Sequence, residues 1–443
     1  MNKRILQIAL PAISGFFSLL LFDLINIFWI AKLGTQVVAG VAAAGFVEGV
    51  MISLMCVTTT GCSALIAQAL GAKDKKKSFQ IARESIHLSI LFSLFLTLFI
   101  LVGGPYLLQW MNLDPISHRA ATVYLKFYAF GNIVYYLLFI SGQIFNAHGD
   151  TKTSVSILAL ILVLNGILDP FFILGWGGFP ALGVKGAGLT SLICCTFGMF
   201  LRCAYLRKRK YIDEFRTFLT FSRTFMLNIV KIGIPTSLSR VIWSSVYPLL
   251  TTLITHFGMA PLAGLTMGHR IEGIAYFTAY GFSIAMITLV GESVGKNDLM
   301  MAKRYAYRGM FIVSLFLLPV TLLFTGVPHW LIGLTSADPE VIQHGAAYLR
   351  MVGITEILLG WEMVFEGSFS GLGNTRTYMF ISVPLTLGRY PVAYVLVNKC
   401  GYGVGAVWLA ISLSTALKGI IMSIVFRSAR PRITVKHPEA VLI

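Results

Sequence analysis

Three carboxylates in the N-terminal half of the chain lie where water is scarce. Asp23, Glu48 and Asp169 each fall inside a long apolar run. A charge inside a bilayer costs at least about 2.5–3.5 kcal/mol on insertion scales, so each needs a partner or a purpose. Asn26 follows Asp23 by one turn and Asn165 precedes Asp169 by four residues, which puts an amide and a carboxylate on one helix face in both cases. Oxygen ligands from two neighbouring helices suit a hard cation such as Na⁺, which would take Asp23, Asn26, Asn165 and Asp169 as its site. A carboxyl group in the same apolar setting can equally carry a proton. Pro170 removes a backbone donor next to Asp169 and loosens the helix there, leaving carbonyl oxygens for an ion. The chain contains no GxxxxGK[ST] loop, no Gly-x-Ser-x-Gly elbow and no His-Glu-x-x-His pair. ATP-driven or enzymatic chemistry is therefore not expected. The reading is a secondary, ion-coupled mechanism with no cofactor beyond Na⁺ or H⁺ as the coupling ion.

The C-terminal half carries a different set. Arg240, Arg270 and Arg389 share it with Glu356, Glu362 and Glu366, with His256 and His269 nearby. Glu362 and Glu366 share a helix face at i, i+4. Mixed signs predict an internal ion-pair network, bordering a substrate cavity.

These residues must be held by membrane helices. Of 443 residues 56% are apolar and 12% charged, against about 25% charged in a soluble globular chain. Runs of about 20 apolar residues define spans, and twelve can be counted, among them 5–31, 153–176, 182–206, 341–371, 377–398 and 403–427. The net charge of +17 is not a nucleic-acid signature, because the bases cluster in short gaps after even-numbered spans. Lys73, Lys75, Lys76 and Lys77 follow the second, Arg207 to Lys210 the sixth, and Arg427, Arg430 and Arg432 the last. By the positive-inside rule both termini are cytoplasmic.

A shift of 224 residues aligns the chain to itself without a gap from Pro11 to Thr153. Pro11 falls on Pro235, Gly34 on Gly258, Glu48-Gly49 on Glu272-Gly273, Asp74 on Asp298, Asp114-Pro115 on Asp338-Pro339, and Gly149 on Gly373. Glu48 and Glu272 therefore read as a structural pair common to both halves. Six spans per repeat is an even number, so the copies share one orientation, as in alternating-access transporters built from parallel repeats. The expected fold is all-α and polytopic, with twelve transmembrane helices in two pseudo-symmetric six-helix bundles. The expected divisions are an N-terminal lobe 1–206, a basic cytoplasmic linker 207–225, a C-terminal lobe 226–430 and a cytoplasmic tail 431–443.

Four stretches, Phe22–Gly34, Asn165–Pro170, Gly183–Ala187 and Gly371–Thr375, in this order and spacing resemble the multidrug and toxic compound extrusion (MATE) family, and the DinF-like prokaryotic branch in particular. The resemblance implies a multi-pass protein of the cytoplasmic (inner) membrane. It would export amphipathic, often cationic small molecules in exchange for Na⁺ or H⁺. Its partners would be those substrates and membrane lipid, with no nucleic acid, and it would act as a monomer. The branch places a cation site in the first lobe, to which Asn165 and Asp169 on helix 5 and Ala187 and Ser191 on helix 6 correspond. On helix 1 the types are exchanged: Asn26 stands where the family has its aspartate, and Asp23 where it often has asparagine. The related reading is a flippase exporting lipid-linked sugars, which should show a strongly cationic cavity; Arg240, Arg270 and Arg389 bear on that alternative.

Overall fold

The computed structural model describes residues 1–111, 113–212 and 221–435, with the side chains of Phe22 and Asp23 outside that description. Residues 213–220 of the expected linker and 436–443 of the expected tail also lie outside the described residues. The N-terminal repeat runs through α1 (Asn2–Ala31), α2 (Thr35–Gly71), α3 (Lys75–Trp110), α4 (Pro115–Ala147), α5 (Thr151–Leu174) and α6 (Val184–Lys208). The C-terminal repeat follows with α7 (Arg223–Ile254), α8 (Met259–Gly295), α9 (Leu299–Gly326), α10 (Pro328–Gly333), α11 (Pro339–Gly353), α12 (Glu356–Gly371), α13 (Thr375–Leu387), α14 (Arg389–Asn398) and α15 (Gly405–Phe426). No strand occurs among the described residues. That follows from the solvent: in hydrocarbon a helix satisfies its own backbone.

The repeat is visible in the chemistry of the turns. Asp74 caps α3 by accepting from the Lys77 N–H at 3.0 Å, and Asp298, 224 residues on, caps α9 by accepting from Met301 at 2.8 Å. Asp114 caps α4 through the Ile116 and Ser117 amides, and Asp338 caps α11 through those of Glu340 and Val341. Such caps satisfy helix donors that have no partner within the helix. Left-handed turns recur at the same offset: Gly34 and Gly258 at φ 113° and 104°, and Lys73 and Asn297 at 58° and 57°. The half-buried glutamates repeat as well. Tyr124 donates to Glu48 at 3.4 Å, and Tyr348 donates to Glu272 in the same relation.

Two places break the symmetry. α4 is continuous, whereas its counterpart, the expected span 341–371, is split into α11 and α12 around Ile354 and Thr355. Among the described residues eleven helical stretches are long and apolar enough to cross a bilayer singly. The twelfth crossing is shared by α11 and α12. Likewise α5 is continuous, while its counterpart divides at Gly388 into α13 and α14.

The chain forms two compact units, which cut differently from the lobes 1–206 and 226–430. One comprises Met1–Ile13, Gly71–Lys73 and Ile234–Ile443, and the other Ser14–Leu70 and Asp74–Gly233. Each takes in opening turns from the other half of the sequence. In the first, α12 packs on α8, α9 and α15, and Gly281 of α8 makes room for Ile13 of α1. In the second, α3 packs on α4 and α6 on both α4 and α5. Here Gly61 and Gly233 let α2 and α7 touch backbone to backbone, because a Cβ on either would strike the carbonyl oxygen of Ile229 or Val57. Gly233→Ala is expected to destabilise this unit by about 1–3 kcal/mol through overpacking. A lowered melting temperature of the purified protein would register it, and an unchanged one would show that α7 can shift at no cost.

Candidate functional site

The N-terminal constellation is built by two antiparallel helices in close contact. Gly186 of α6 sits against the Phe172 carbonyl of α5, where no side chain would fit. The Leu182 and Gly183 amides ahead of α6 donate to Phe172 and Ile173 at 3.0 and 3.2 Å. Stepping four residues at a time up α6 while descending α5 gives a ladder. Thr190 reaches Asp169, Cys194 reaches Asn165, and Gly198 receives the Ile161 side chain. Small residues at this spacing are what allow membrane helices to approach so closely.

Asp169 and Asn165 are each only 1% exposed. Asn165 Nδ2 donates to Asp169 Oδ1 at 3.4 Å, and the Thr190 hydroxyl donates to the Gly186 carbonyl at 2.8 Å. Pro170 lies within α5 and supplies no N–H, so the Gly166 carbonyl lacks its α-helical donor. A Cβ on Gly166 would meet Ile25 of α1 at van der Waals distance. The outcome is a surplus of oxygen. Asp169 Oδ2, Asn165 Oδ1 and Asn26 Oδ1 are all buried without a hydrogen bond among the described residues. Buried polar atoms are nearly always partnered, and the open oxygens of Asp169 and Asn165, one turn apart on α5, are chemically a receptor for a cation or a proton.

The expected residues are placed unevenly. Asn165 and Asp169 meet, and Asn26 lies on α1 with its Oδ1 buried. Asp23 lies on α1, but its side chain falls outside the described residues. Ala187 is buried with Ile30 and Ile173 where α1, α5 and α6 pack. Ser191 lies one turn beyond Ala187 and is half-buried. The hydroxyl at Asp169 belongs to Thr190, the neighbour of the expected Ser191. A one-residue step rotates the side chain by about 100° round the helix, which separates the two positions. The periodicity of Gly186, Thr190, Cys194 and Gly198 was the signal for it in the sequence.

In the C-terminal repeat the position equivalent to Asn165 is Arg389, and that of Asp169 is Ala393. Arg389 is buried, with Nε donating to Ser414 at 2.9 Å and one terminal nitrogen donating to Thr415 at 3.0 Å. A guanidinium thus stands where the other repeat leaves acceptors open. Glu362 is bound by Lys418 of α15 at 2.6 Å, and Glu366 by Arg240 of α7 at 2.8 Å. Arg240 also stacks on Tyr280 at 4.7 Å and donates to Tyr276 at 3.3 Å. Glu272 accepts from His269 at 3.0 Å and from Tyr348. Glu356 is buried at the start of α12 with Oε2 unpartnered among the described residues. The expected network is therefore present for Arg240, Glu362 and Glu366, while Arg389 binds hydroxyls and Arg270 is exposed on α8. Lys418 was missed, because a single base within an otherwise apolar span gives no pairing signal until its partner helix is known.

A duplicated six-helix membrane scaffold with unequal polar centres buried in its two copies defines a polytopic membrane protein of the transporter class. The MatE family model matches residues 11–171 and again 235–395, two matches separated by the same offset as the internal repeat. The chain belongs to the MATE family, whose members are membrane transporters. It is 24% identical to the probable multidrug resistance protein NorM of Thermotoga maritima, over 96% of this chain and 90% of that protein. It is 22% identical to the FAD transporter of Shewanella oneidensis, over 95% and 93%. Among solved structures it is similar to a MOP superfamily transporter from Pyrococcus furiosus, with a TM-score of 0.90 at 22% identity, covering 96% of this chain and 95% of the other.

Proposed function

We propose that this protein is a secondary active antiporter that exports small organic compounds, amphipathic and often cationic, in exchange for Na⁺ or H⁺. The observation that carries the reading is the buried Asp169 carboxylate, with one oxygen open and the open Asn165 Oδ1 one turn away on α5. Asp169 holds the coupling ion, Asp23 adds a second charge, and Asn26, Asn165 and the Thr190 hydroxyl supply neutral oxygens. Transport proceeds by alternating access between the lobes 1–206 and 226–430, joined by the basic linker 207–225. The chain lies in the cytoplasmic membrane as a monomer, with both termini and the tail 431–443 on the cytoplasmic side. The substrate class is supported by the relatives described as multidrug resistance proteins. Export of a lipid-linked anionic sugar, the alternative, would call for an open cationic wall, and two of the three arginines that could form it are engaged internally.

The test is ethidium or norfloxacin uptake into proteoliposomes with a Na⁺ gradient and a pH gradient imposed separately. One gradient is expected to drive transport at several times the ungated leak. Folded protein that responds to neither would overturn the antiport reading in favour of the lipid flippase.

A further inference from the structure

Away from the buried centres, the first unit carries an open surface groove of about 900 Å³ lined by Met1, Asn2, Lys3, Arg304, Tyr307, Arg308 and Phe311. Its charge is of one sign. Lys3, Arg304 and Arg308 form no ion pair among the described residues, and no carboxylate lines the wall. The neighbouring acid, Glu292, is already neutralised twice, by Arg4 at 2.6 Å and Lys296 at 2.8 Å. The groove is also built rather than incidental. Arg308 Nε donates to Asn2 Oδ1 at 2.7 Å, which ties the start of α1 to α9. Tyr307 donates to the Ser423 carbonyl at 2.7 Å and its ring lies edge-on to Phe365.

What separates this groove from a site for a soluble anion is the face of α9 below it. Arg304, Arg308, Phe311, Leu315, Leu318 and Leu322 follow the i+4, i+3 spacing of one helix face. The last four are each between 44% and 62% exposed. Arg308 lies over the Phe311 ring at 5.3 Å. The order along the helix is therefore two guanidinium groups, an aromatic ring at the interface, then open aliphatic surface. It reproduces the order of a phospholipid: anionic phosphate, glycerol ester, acyl chains. Arginine suits a phosphate because its fork of donors matches two phosphate oxygens, and basic pockets between membrane helices on the cytoplasmic side hold acidic headgroups.

We propose that this groove binds one anionic glycerophospholipid, with its phosphate between Lys3, Arg304 and Arg308 and its chains along Phe311, Leu315, Leu318 and Leu322. The assignment to the inner leaflet rests on the topology given under Proposed function; the site itself does not. Bound there, the lipid holds the opening turns of α1 against α9. These turns belong to the first unit, whereas the rest of α1, with Asn26, belongs to the second.

Native mass spectrometry of the purified full chain in detergent tests the proposal, with phosphatidylglycerol and phosphatidylcholine titrated separately and inorganic phosphate as competitor. The wild type is expected to hold one phosphatidylglycerol at least about tenfold more tightly than phosphatidylcholine. Each basic side chain near a lipid surface is worth about fivefold in affinity. Arg304→Gln with Arg308→Gln should thus weaken phosphatidylglycerol binding about 25-fold and narrow its preference over phosphatidylcholine. Lys73→Gln with Lys75→Gln, at a basic turn outside the groove, should change phosphatidylglycerol binding less than twofold. If the double variant does not fold, Arg304→Gln alone must show the fivefold loss. Unaltered phosphatidylglycerol binding, or an equal loss in the Lys73 and Lys75 control, would overturn the site. Displacement of the lipid by millimolar phosphate would overturn the lipid in favour of a soluble anion. None of these readouts involves transport, so failure of the antiport reading would leave them intact.

Discussion

Replacing Asp169 by Asn is expected to abolish gradient-driven export and to leave the protein folded. The exchange keeps the shape of the side chain and its place beside Asn165, so packing against α6 is retained. What it removes is the charge. At about 4 Å and an effective dielectric near 20, a unit charge pair contributes about 4 kcal/mol, about a thousandfold in affinity for a bound cation. No neutral oxygen in the ladder replaces that, because Asn165, Thr190 and Asn26 offer dipoles only. Stability should hold or rise, since an uncompensated carboxylate within a bilayer costs at least about 2.5–3.5 kcal/mol. Uptake under the coupling gradient, together with the melting temperature of the same preparation, separates the two effects. Near-normal transport from the variant would remove Asp169 from the coupling site. Loss of transport with loss of folding would show instead that the carboxylate holds α5 and α6 together.

That site was half legible in the sequence, and the reason is geometric. Four-residue spacing within one helix is readable, so Asn165 and Asp169 were found together. The partner on the next helix depends on the register in which α5 and α6 lie, which is set by Gly186 closing on the Phe172 carbonyl. Ala187 and Ser191 were expected from the family resemblance, whereas the hydroxyl that reaches Asp169 is that of Thr190, one residue earlier. The fold was more legible, because a duplicated chain writes its turns twice. Gly149 and Gly373 take left-handed φ of 75° and 64° at the repeat offset, and Asp74 and Asp298 both cap. Hydropathy alone could not show that the opening turns of α1 belong with the C-terminal unit. Nor could it show the split at Ile354 and Thr355, since one Thr-Glu pair within a long apolar run does not by itself mark a helix break.

Lys418→Met is expected to be the most damaging single substitution in the C-terminal repeat. Lys418 is 1% exposed, and its ammonium lies 2.6 Å from Glu362 Oε1. Glu362 Oε2 is already without a hydrogen bond among the described residues. Removing the lysine strands a buried carboxylate, which costs about 3–5 kcal/mol for a pair of this kind. Replacing both members, Lys418→Met with Glu362→Met, leaves no orphan charge and should recover most of the loss, since apolar substitutes for a buried pair range from neutral to stabilising by about 1–4 kcal/mol. Thermal unfolding of the two single variants and the double variant closes the cycle. A double variant as unstable as Lys418→Met would show that the cost is lost packing rather than lost charge. The Arg240–Glu366 pair is the natural comparison, because Arg240 is more exposed and also stacks on Tyr280. Arg240→Met should therefore cost less than Lys418→Met. If the double variant is stable and transports normally, the pair is structural. If it is stable and silent, the C-terminal repeat contributes charge to the transport cycle as well as to the fold.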